Sequence, residues 1–277
     1  MTILVPTDFS ENARYAALYA AELATSKNYN VHLIHGYTSS SVLDENNDVF
    51  RTNSLKADEK IQEWKTLLTQ AFPALTVTIQ CTRSLITEKL SELSRNNEFE
   101  LIIMGASGAS TSQPIYWGST TMAVASQADI PVLVIPNTQT ALSTHHVALL
   151  TNFKPEELDT LKACTQSIGN PQLLTLIHVF KDSQQKQAVL ETVENWIFNI
   201  REMMPTEKID YILEPIHKDD ETLDTVPEVV SNIIRKLNPD MILVTPSRKS
   251  FFERLFKTSV SKAIALELEK PTFFDKI

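Results

Sequence analysis

The sequence predicts an α/β protein of two tandem doubly wound domains, each a five-stranded parallel sheet with helices on both faces. Short runs rich in Val, Ile and Leu alternate with amphipathic stretches, which is the pattern of βαβ units. The same order then recurs, with an offset of 144 residues between Ile3 and Val147 and of 140 residues between Pro131 and Pro271. At 277 residues the chain has room for two domains of about 100–150 residues each.

The first half contains five predicted strands and four predicted helices. The strands are Ile3–Val5, Val31–Tyr37, Leu75–Cys81, Glu100–Met104 and Val132–Ile135. The helices fall at 11–25, 54–72, 85–96 and 119–127. Ser10 is suited to cap the first helix, and a stripe of alanines at helical spacing favours close packing of that helix on the sheet. The stripe consists of Ala13, Ala17, Ala20, Ala21 and Ala24.

The second half repeats this plan. Its first helix is predicted to start near Pro155, because proline suits the first turn of a helix. The segment LIHVF, ending at Phe180, resembles the earlier LIHGY, ending at Tyr37. The predicted strands are Val147–Leu150, Leu173–Phe180, Tyr211–Glu214, Met241–Thr245 and Thr272–Phe274. We therefore expect a first domain at 1–137, a polar linker at 138–146 and a second domain at 147–277.

Composition narrows the class of function. The formal net charge of −9 argues against nucleic acid as a partner, since such binding needs many Lys and Arg on phosphates. No apolar run approaches the 18 residues of a membrane span, and no targeting pattern precedes Ile3. Cys81 and Cys164 lie far apart and are expected to be buried thiols of a reducing compartment. The expected location is the cytoplasm.

Three of the five glycines in the chain fall in one loop. This loop, MGASGASTSQPIYWGSTT at 104–121, follows an apolar strand and leads into a helix. Glycine permits positive φ and lets a phosphate approach the main chain, while the following helix start offers N–H groups and hydroxyls to an anion. The loop therefore favours a polyphosphate ligand. A plain strand–loop–helix connection, with glycines serving turns, is the alternative.

The spacing of these glycines resembles a known family. Gly105, Gly108, Gly118 and Ser119 form the pattern G-x2-G-x9-G-[S/T], which is similar to that of the ATP-binding class of the universal stress protein family. ILVPTDFSENA near the start and DIPVLVIP near 136 resemble the first and last strands of that family. The resemblance implies an adenine nucleotide alpha hydrolase-like fold and ATP, AMP or ADP as ligand.

The resemblance also implies which residues bind the nucleotide. It places the start of the chain near the nucleoside and the glycine loop near the ribose and phosphates. Gly36 stands where a valine is more usual, and Ser107 stands where a basic residue or histidine is often found. The implied binding residues are Pro6, Thr7, Asp8, Gly36, Met104, Gly105, Ser107, Gly108, Gly118, Ser119, Thr120 and Thr121.

The second half lacks this signature. At the 140-residue offset, Thr245, Arg248 and Thr258 replace the three glycines, and at the 144-residue offset of the first strand Asn152 replaces Asp8. β-Branched residues resist positive φ, so we expect no nucleotide to bind there in the manner of the family. The second half is expected to be a structural partner whose edge strand pairs with that of the first. A homodimer of the tandem chain is a further candidate assembly.

The resemblance implies an adenine-nucleotide-binding protein that acts in the stress response as a regulatory binding module. The main alternative is a slow ATPase or another nucleotide-dependent enzyme, and the second is a scaffold without nucleotide. No P-loop, Ser-His-Asp or Cys-His arrangement is recognisable, so no catalytic residue is predicted. No metal cluster is predicted either, although Asp8 is a candidate ligand for Mg²⁺. The strand residues His32, His35 and His178 are expected to be internally bonded.

Overall fold

The computed structural model describes residues 1–37, 48–107, 118–137, 142–181, 186–216, 226–245 and 270–275. The chain divides into two compact units, Met1–Leu142 and Ser143–Ile277. Within the described ranges, no helix has the length and apolar character needed to cross a bilayer. Cys164 is buried, whereas Cys81 is only half-buried, so the expectation of two buried thiols is wrong for Cys81.

The first unit alternates strands and helices. Its strands are β1 (Thr2–Pro6), β2 (Asn30–Gly36), β3 (Val77–Thr82), β4 (Phe99–Gly105) and β5 (Val132–Ile135). Its helices are α1 (Glu11–Lys27), α2 (Asp48–Ala71), α3 (Ile86–Leu93) and α4 (Ser119–Gln127). The strands are parallel, in the order β3-β2-β1-β4-β5. The direction of strand addition reverses between β1 and β4, where a doubly wound sheet opens a crevice at its carboxyl edge.

Helices cover both faces of this sheet. Right-handed crossovers place α1 and α2 on one face and α3 and α4 on the other, and α1 contacts α2 as α3 contacts α4. The central strands are buried on both sides, which explains their nearly continuous apolar sequence. The fully buried residues of β1 and β4 include Ile3, Leu4, Ile102 and Ile103. The prediction of a doubly wound α/β fold is confirmed.

Helix α1 has the predicted cap and the predicted packing face. The Ser10 side chain accepts a hydrogen bond from the Ala13 N–H at 3.2 Å, and Asn28 ends the helix with a positive φ of 57°. All five alanines of the stripe are buried. Their small side chains let the helix lie close to β4 at the edge where the crevice opens.

The second unit has the same strand order. Its strands are β6 (His146–Leu150), β7 (Leu173–Lys181), β8 (Lys208–Ile216), β9 (Met241–Val244) and β10 (Thr272–Phe274). Its helices are α5 (Pro155–Ser167), α6 (Lys186–Met203) and α7 (Val226–Leu237). The strands are parallel, in the order β10-β9-β6-β7-β8. This is the order of the first unit, read from β5 to β3.

Two strands, β3 and β8, differ from the predictions by two residues or more at one or both ends, and the other strands agree to within one residue. β3 starts at Val77 rather than Leu75, because the Leu75 N–H donates to the Phe72 carbonyl at 3.0 Å in a turn after α2. β8 is longer than the predicted four residues, since nine residues from Lys208 to Ile216 pair with the whole of β7. Pairing with the long strand β7 therefore extends β8 beyond the four residues that its own sequence predicts.

Candidate functional site

A cavity of about 360 Å³ lies at the carboxyl edge of the first unit's sheet. It opens where β1, β2 and β4 end and where α4 begins. Eleven of the twelve sequence-predicted residues line it, and Gly108 lies outside the described residues. The lining residues are Pro6, Thr7, Asp8, Ala13, Gly36, Ile86, Met104, Gly105, Ser107, Gly118, Ser119, Thr120 and Thr121. The fold thus brings the ends of β1, β2 and β4 and the starts of α1, α3 and α4 to one crevice.

The turn after β1 is held by its own hydrogen bonds. The Thr7 N–H donates to the Ile34 carbonyl at 2.9 Å, and the Thr7 hydroxyl accepts from the Phe9 N–H at 3.0 Å. The His35 Nδ1 lies 2.6 Å from the Thr7 carbonyl, and it carries the proton because a carbonyl oxygen can only accept. Asp8 accepts from the Ser10 N–H at 3.0 Å, forming an Asx turn. These bonds fix the Asp8 side chain at the cavity wall.

Gly105 allows α1 to approach the end of β4. A Cβ at this position would lie 3.0 Å from both the carbonyl carbon and the carbonyl oxygen of Asn12, and 3.2 Å from the Ala13 nitrogen. The Gly105 carbonyl accepts a hydrogen bond from the Thr121 hydroxyl at 3.0 Å. Gly105 therefore joins the start of α1 to the start of α4 around the cavity.

The reason for glycine at these positions differs in part from the expectation. Positive φ and a close approach to the main chain are both expected of the loop glycines, but among the described glycines only Gly169 has a positive φ, at 131°. Gly118 is extended, with φ of −69°, and caps α4. At Gly105 the requirement is close backbone approach rather than backbone strain. The expectation of positive φ is wrong at both loop glycines that the structure describes.

The helix start offers donors to the cavity. The N–H groups of Ser119, Thr120 and Thr121 lie in the first turn of α4, where no intrahelical carbonyl can accept them. The side chains of Ser119 and Thr120 are exposed, while Thr121 is buried and bonds back to Gly105. The Gly118 N–H donates to the Ala106 carbonyl at 2.8 Å. This geometry can hold an anion, because unpaired N–H groups and the helix dipole point to one place.

Sequence reasoning missed three contributors to this site. Asn12 donates from its side chain to the Ser107 carbonyl at 3.1 Å and also contacts the Ser107 hydroxyl, so it fixes the start of the glycine loop. Ala13 and Ile86 line the cavity. Ile86 fits because Gly36 has no side chain: a Cβ there would lie 3.2 Å from the Ile86 Cβ. Of these three residues, only Asn12 had a feature in the sequence that pointed to the site, namely its position four residues after Asp8.

Charge at the site comes from one residue. Among the described residues that line the cavity, only Asp8 is ionisable. The loop sequence from Gly105 to Gly118 contains no lysine or arginine. Among the described residues there is no group of three His, Cys, Asp or Glu side chains that could hold a metal ion. A metal here would need ligand oxygens in addition to the Asp8 carboxylate.

The comparisons with known proteins agree with this architecture. The sequence model of the universal stress protein family matches residues 1–136. The first unit belongs to the universal stress protein family. No curated protein matches the chain.

Solved structures extend the likeness in fold across both units. A universal stress protein from Archaeoglobus fulgidus DSM 4304 is similar over 99% of this chain and 96% of its own, with a TM-score of 0.70 and 18% identity. A candidate universal stress protein from Pseudomonas aeruginosa UCBPP-PA14 is similar over 99% of this chain and 92% of its own, with a TM-score of 0.59 and 14% identity. At this level of identity the comparison shows a common fold.

The turn after β1 of the universal stress protein domain has a counterpart after β6 in the second unit, with the same ring contacts and the same positive φ at phenylalanine. Phe9 has a φ of 63°, and its ring lies 4.3 Å from the His35 ring and 5.7 Å from the Trp64 ring. The corresponding turn contains Phe153, whose ring packs against a histidine of β7 and a tryptophan of α6. We call each set of three rings an aromatic cluster: Phe9, His35 and Trp64 in the first unit, and Phe153, His178 and Trp196 in the second.

The second cluster repeats the dimensions of the first. Phe153 has a φ of 60°, and its ring lies 4.6 Å from that of His178 and 6.1 Å from that of Trp196. The His178 Nδ1 lies 2.8 Å from the Thr151 carbonyl, as His35 does from Thr7. The prediction that these strand histidines are internally bonded is confirmed. Thr258 and Arg248, which replace two of the glycines, lie outside the described residues.

Among the side chains that differ between the two turns, that of Glu157 is buried against the turn itself. Glu157 is the third residue of α5, as Ala13 is the third residue of α1. The Glu157 carboxyl accepts from the Asn152 N–H at 2.8 Å and from the Thr151 hydroxyl, and the residue is 4% exposed. Burial raises the pKa of this carboxyl, and the hydrogen bonds with Thr151 and the main chain lower it.

This pKa shift predicts a pH dependence of stability. Because the pKa of Glu157 is higher in the folded than in the unfolded chain, its contribution is fully present below the unfolded pKa and is lost as pH rises through the folded pKa. We expect the free energy of unfolding of wild type to fall more with rising pH, from about pH 4 upward, than that of Glu157→Gln. Urea unfolding at a series of pH values measures both. Parallel curves for the two proteins would contradict the assignment.

Proposed function

We propose that the first unit binds an adenine nucleotide and that the protein acts in stress responses as a regulatory binding module. The observation that carries this proposal is the cavity at the sheet's carboxyl edge. Its volume of about 360 Å³ is within the range of small-molecule sites. It combines a side-chain-free stretch at Gly105 with the free N–H groups at the start of α4.

The parts of the site suit the two ends of a nucleotide. Gly36, Ile86 and Met104 offer an apolar and open surface to a flat base. Ser119 and Thr120 offer hydroxyls and main-chain N–H groups to phosphoryl oxygens, and each hydrogen bond to a charged oxygen contributes about 1.5–3 kcal/mol. Membership of the first unit in the universal stress protein family supports the same ligand class.

The charge of the site leads us to propose magnesium as a partner of a triphosphate. Asp8 is the ionisable residue of the described lining, so it repels a polyphosphate unless a cation lies between them. Mg²⁺ in proteins is held by one or two carboxylates together with substrate phosphates and water, which one Asp8 carboxylate fits. We therefore expect Mg²⁺ to raise the affinity for ATP more than that for AMP.

Calorimetry on the full chain tests this proposal. Wild type is titrated with ATP, ADP and AMP, each with and without magnesium, beside Asp8→Ala. We expect saturable binding by wild type and an affinity for magnesium–ATP at least about tenfold lower in Asp8→Ala, the equivalent of one charge-assisted contact. Asn152→Ala is the matched control, because Asn152 holds the equivalent position in the second unit and is exposed.

Two other results would change the conclusion. No binding of any adenine nucleotide by wild type at millimolar concentration would leave a scaffold without nucleotide as the function. Formation of ADP over hours, abolished in Asp8→Ala and retained in Asn152→Ala, would make the protein a slow ATPase instead of a binding module. Equal affinities of wild type and Asp8→Ala would remove Asp8 from the site.

A further inference from the structure

We infer that Glu157 is an internal ligand of the second unit, whose carboxyl group occupies the place at the β6–α5 turn that an anion would otherwise take. The inference rests on the proposed function in one respect. If the first unit binds a nucleotide, a filled turn in the second unit limits the chain to that one nucleotide. It concerns the turn from Thr151 to Lys154 and the first turn of α5, which the structure describes.

The surroundings of Glu157 are those of the first unit's site. Threonine and phenylalanine hold equivalent places in both turns, with the same positive φ at phenylalanine and a histidine bonded to the threonine carbonyl. The turn framework that presents Asp8 to the cavity is therefore retained in the second unit. Glu157 stands in place of Ala13, which lines that cavity, within a turn framework that the two units share.

The carboxyl group is bonded as a bound anion would be. One oxygen accepts from the main-chain N–H of Asn152 at 2.8 Å, and the other accepts from the Thr151 hydroxyl. Within the described ranges, no cation forms an ion pair with Glu157. A carboxyl that is 4% exposed and lacks a cation is costly to bury, so stability alone does not account for it.

A second contact closes the same region. Thr245 stands where the first unit has Gly105, and its hydroxyl donates to the hydroxyl of Thr160 on α5 at 2.7 Å. In the first unit the equivalent residue, Gly105, has no side chain, and the main chain of α1 at Asn12 and Ala13 lies directly beside it. The hydroxyl pair links the end of β9 to α5, and Glu157 lies three residues before Thr160, with its carboxyl bonded to the turn between β6 and α5. Together they exclude an external phosphate by shape as well as by charge.

Nuclear magnetic resonance of the full chain tests this inference, with inorganic phosphate as the probe. The amide signal of Asn152 is followed during phosphate titration of wild type, Glu157→Ala and Glu156→Ala. Glu156 is the matched control, because it lies in the same helical turn, carries the same charge and is exposed. We expect a phosphate dissociation constant at least about tenfold lower for Glu157→Ala than for the other two, the equivalent of one hydrogen bond to a charged group.

Two outcomes would overturn the inference. One is a saturable shift of the wild-type Asn152 amide with phosphate or AMP, and the other is a folded Glu157→Ala protein whose Asn152 amide ignores phosphate. If Glu157→Ala does not fold, Glu157→Ser replaces it, since a serine in the first helical turn is small and polar. Failure of the proposed function would show separately, as absence of any AMP response at the amide of Gly105.

Discussion

Gly105→Ala is expected to remove most of the nucleotide affinity and to destabilise the first unit. The added Cβ would lie 3.0 Å from two main-chain atoms of Asn12, and main chain cannot turn aside as a flexible side chain can. The start of α1 must therefore move away from β4, at a cost of about 1–3 kcal/mol in the free energy of unfolding. Asn12 then loses its contact with Ser107, and the glycine loop loses its support.

Calorimetry with magnesium–ATP and urea unfolding measure the two effects of Gly105→Ala. We expect the affinity to fall at least about tenfold, since more than one contact to the phosphates is displaced. Gly169→Ala is the control for stability, because Gly169 has a φ of 131° and lies beyond α5 in the second unit. It should cost about 1–3 kcal/mol through backbone strain while leaving the affinity unchanged. A Gly105→Ala protein that binds as wild type would show that α1 has room at this position.

Phe9→Ala and Phe153→Ala are expected to cost similar stability and to differ in their effect on binding. Each removes a half-buried ring from an aromatic cluster, which we expect to cost about 2–3 kcal/mol in the free energy of unfolding. Phe9 also holds the turn that carries Asp8, and its N–H donates to the Thr7 hydroxyl. Phe9→Ala should therefore lower the nucleotide affinity about tenfold as well.

The two phenylalanines make a comparison within one chain. Their φ angles are 63° and 60°, and their rings lie 4.3 Å and 4.6 Å from the neighbouring histidine rings. Urea unfolding followed by tryptophan fluorescence reports the stability, and calorimetry reports the affinity. An equal loss of affinity in Phe153→Ala would mean that the second unit takes part in binding, and would contradict the assignment of the site to the first unit.

Much of the fold was readable from the pattern of apolar residues. A parallel strand that is buried on both faces must be apolar along its length. Continuous apolar segments such as Leu101–Ile103 therefore predict central strands. The alternation with helices then determines the parallel sheet, and the recurrence of the same order indicates two such sheets. Strand ends were less predictable. At Leu75 a hydrogen bond in the preceding turn delays the start of β3, and at Lys208 pairing with β7 brings the start of β8 forward.

The candidate site was only partly readable. The family resemblance, which the glycine spacing and the opening segment carry, implied twelve binding residues, and eleven of them line one cavity. The sequence pattern could not show why Gly105 is a glycine, because the answer is a distance to Asn12, which lies on another element. It also gave no sign of Ile86, an ordinary apolar residue that reaches the cavity through the short Gly36.

Local sequence was sufficient to establish the α/β class, the doubly wound plan and the place of the glycine loop, because periodicity and spacing are properties of neighbours along the chain. The close approach of α1 to Gly105, the two aromatic clusters and the carboxyl of Glu157 within the second turn depended on the folded chain. The first two are contacts between segments far apart in the sequence, whose distance in space no spacing encodes. For Glu157 the sequence shows the residue, but only the folded chain shows that its carboxyl turns back onto Thr151 and Asn152 and is buried there.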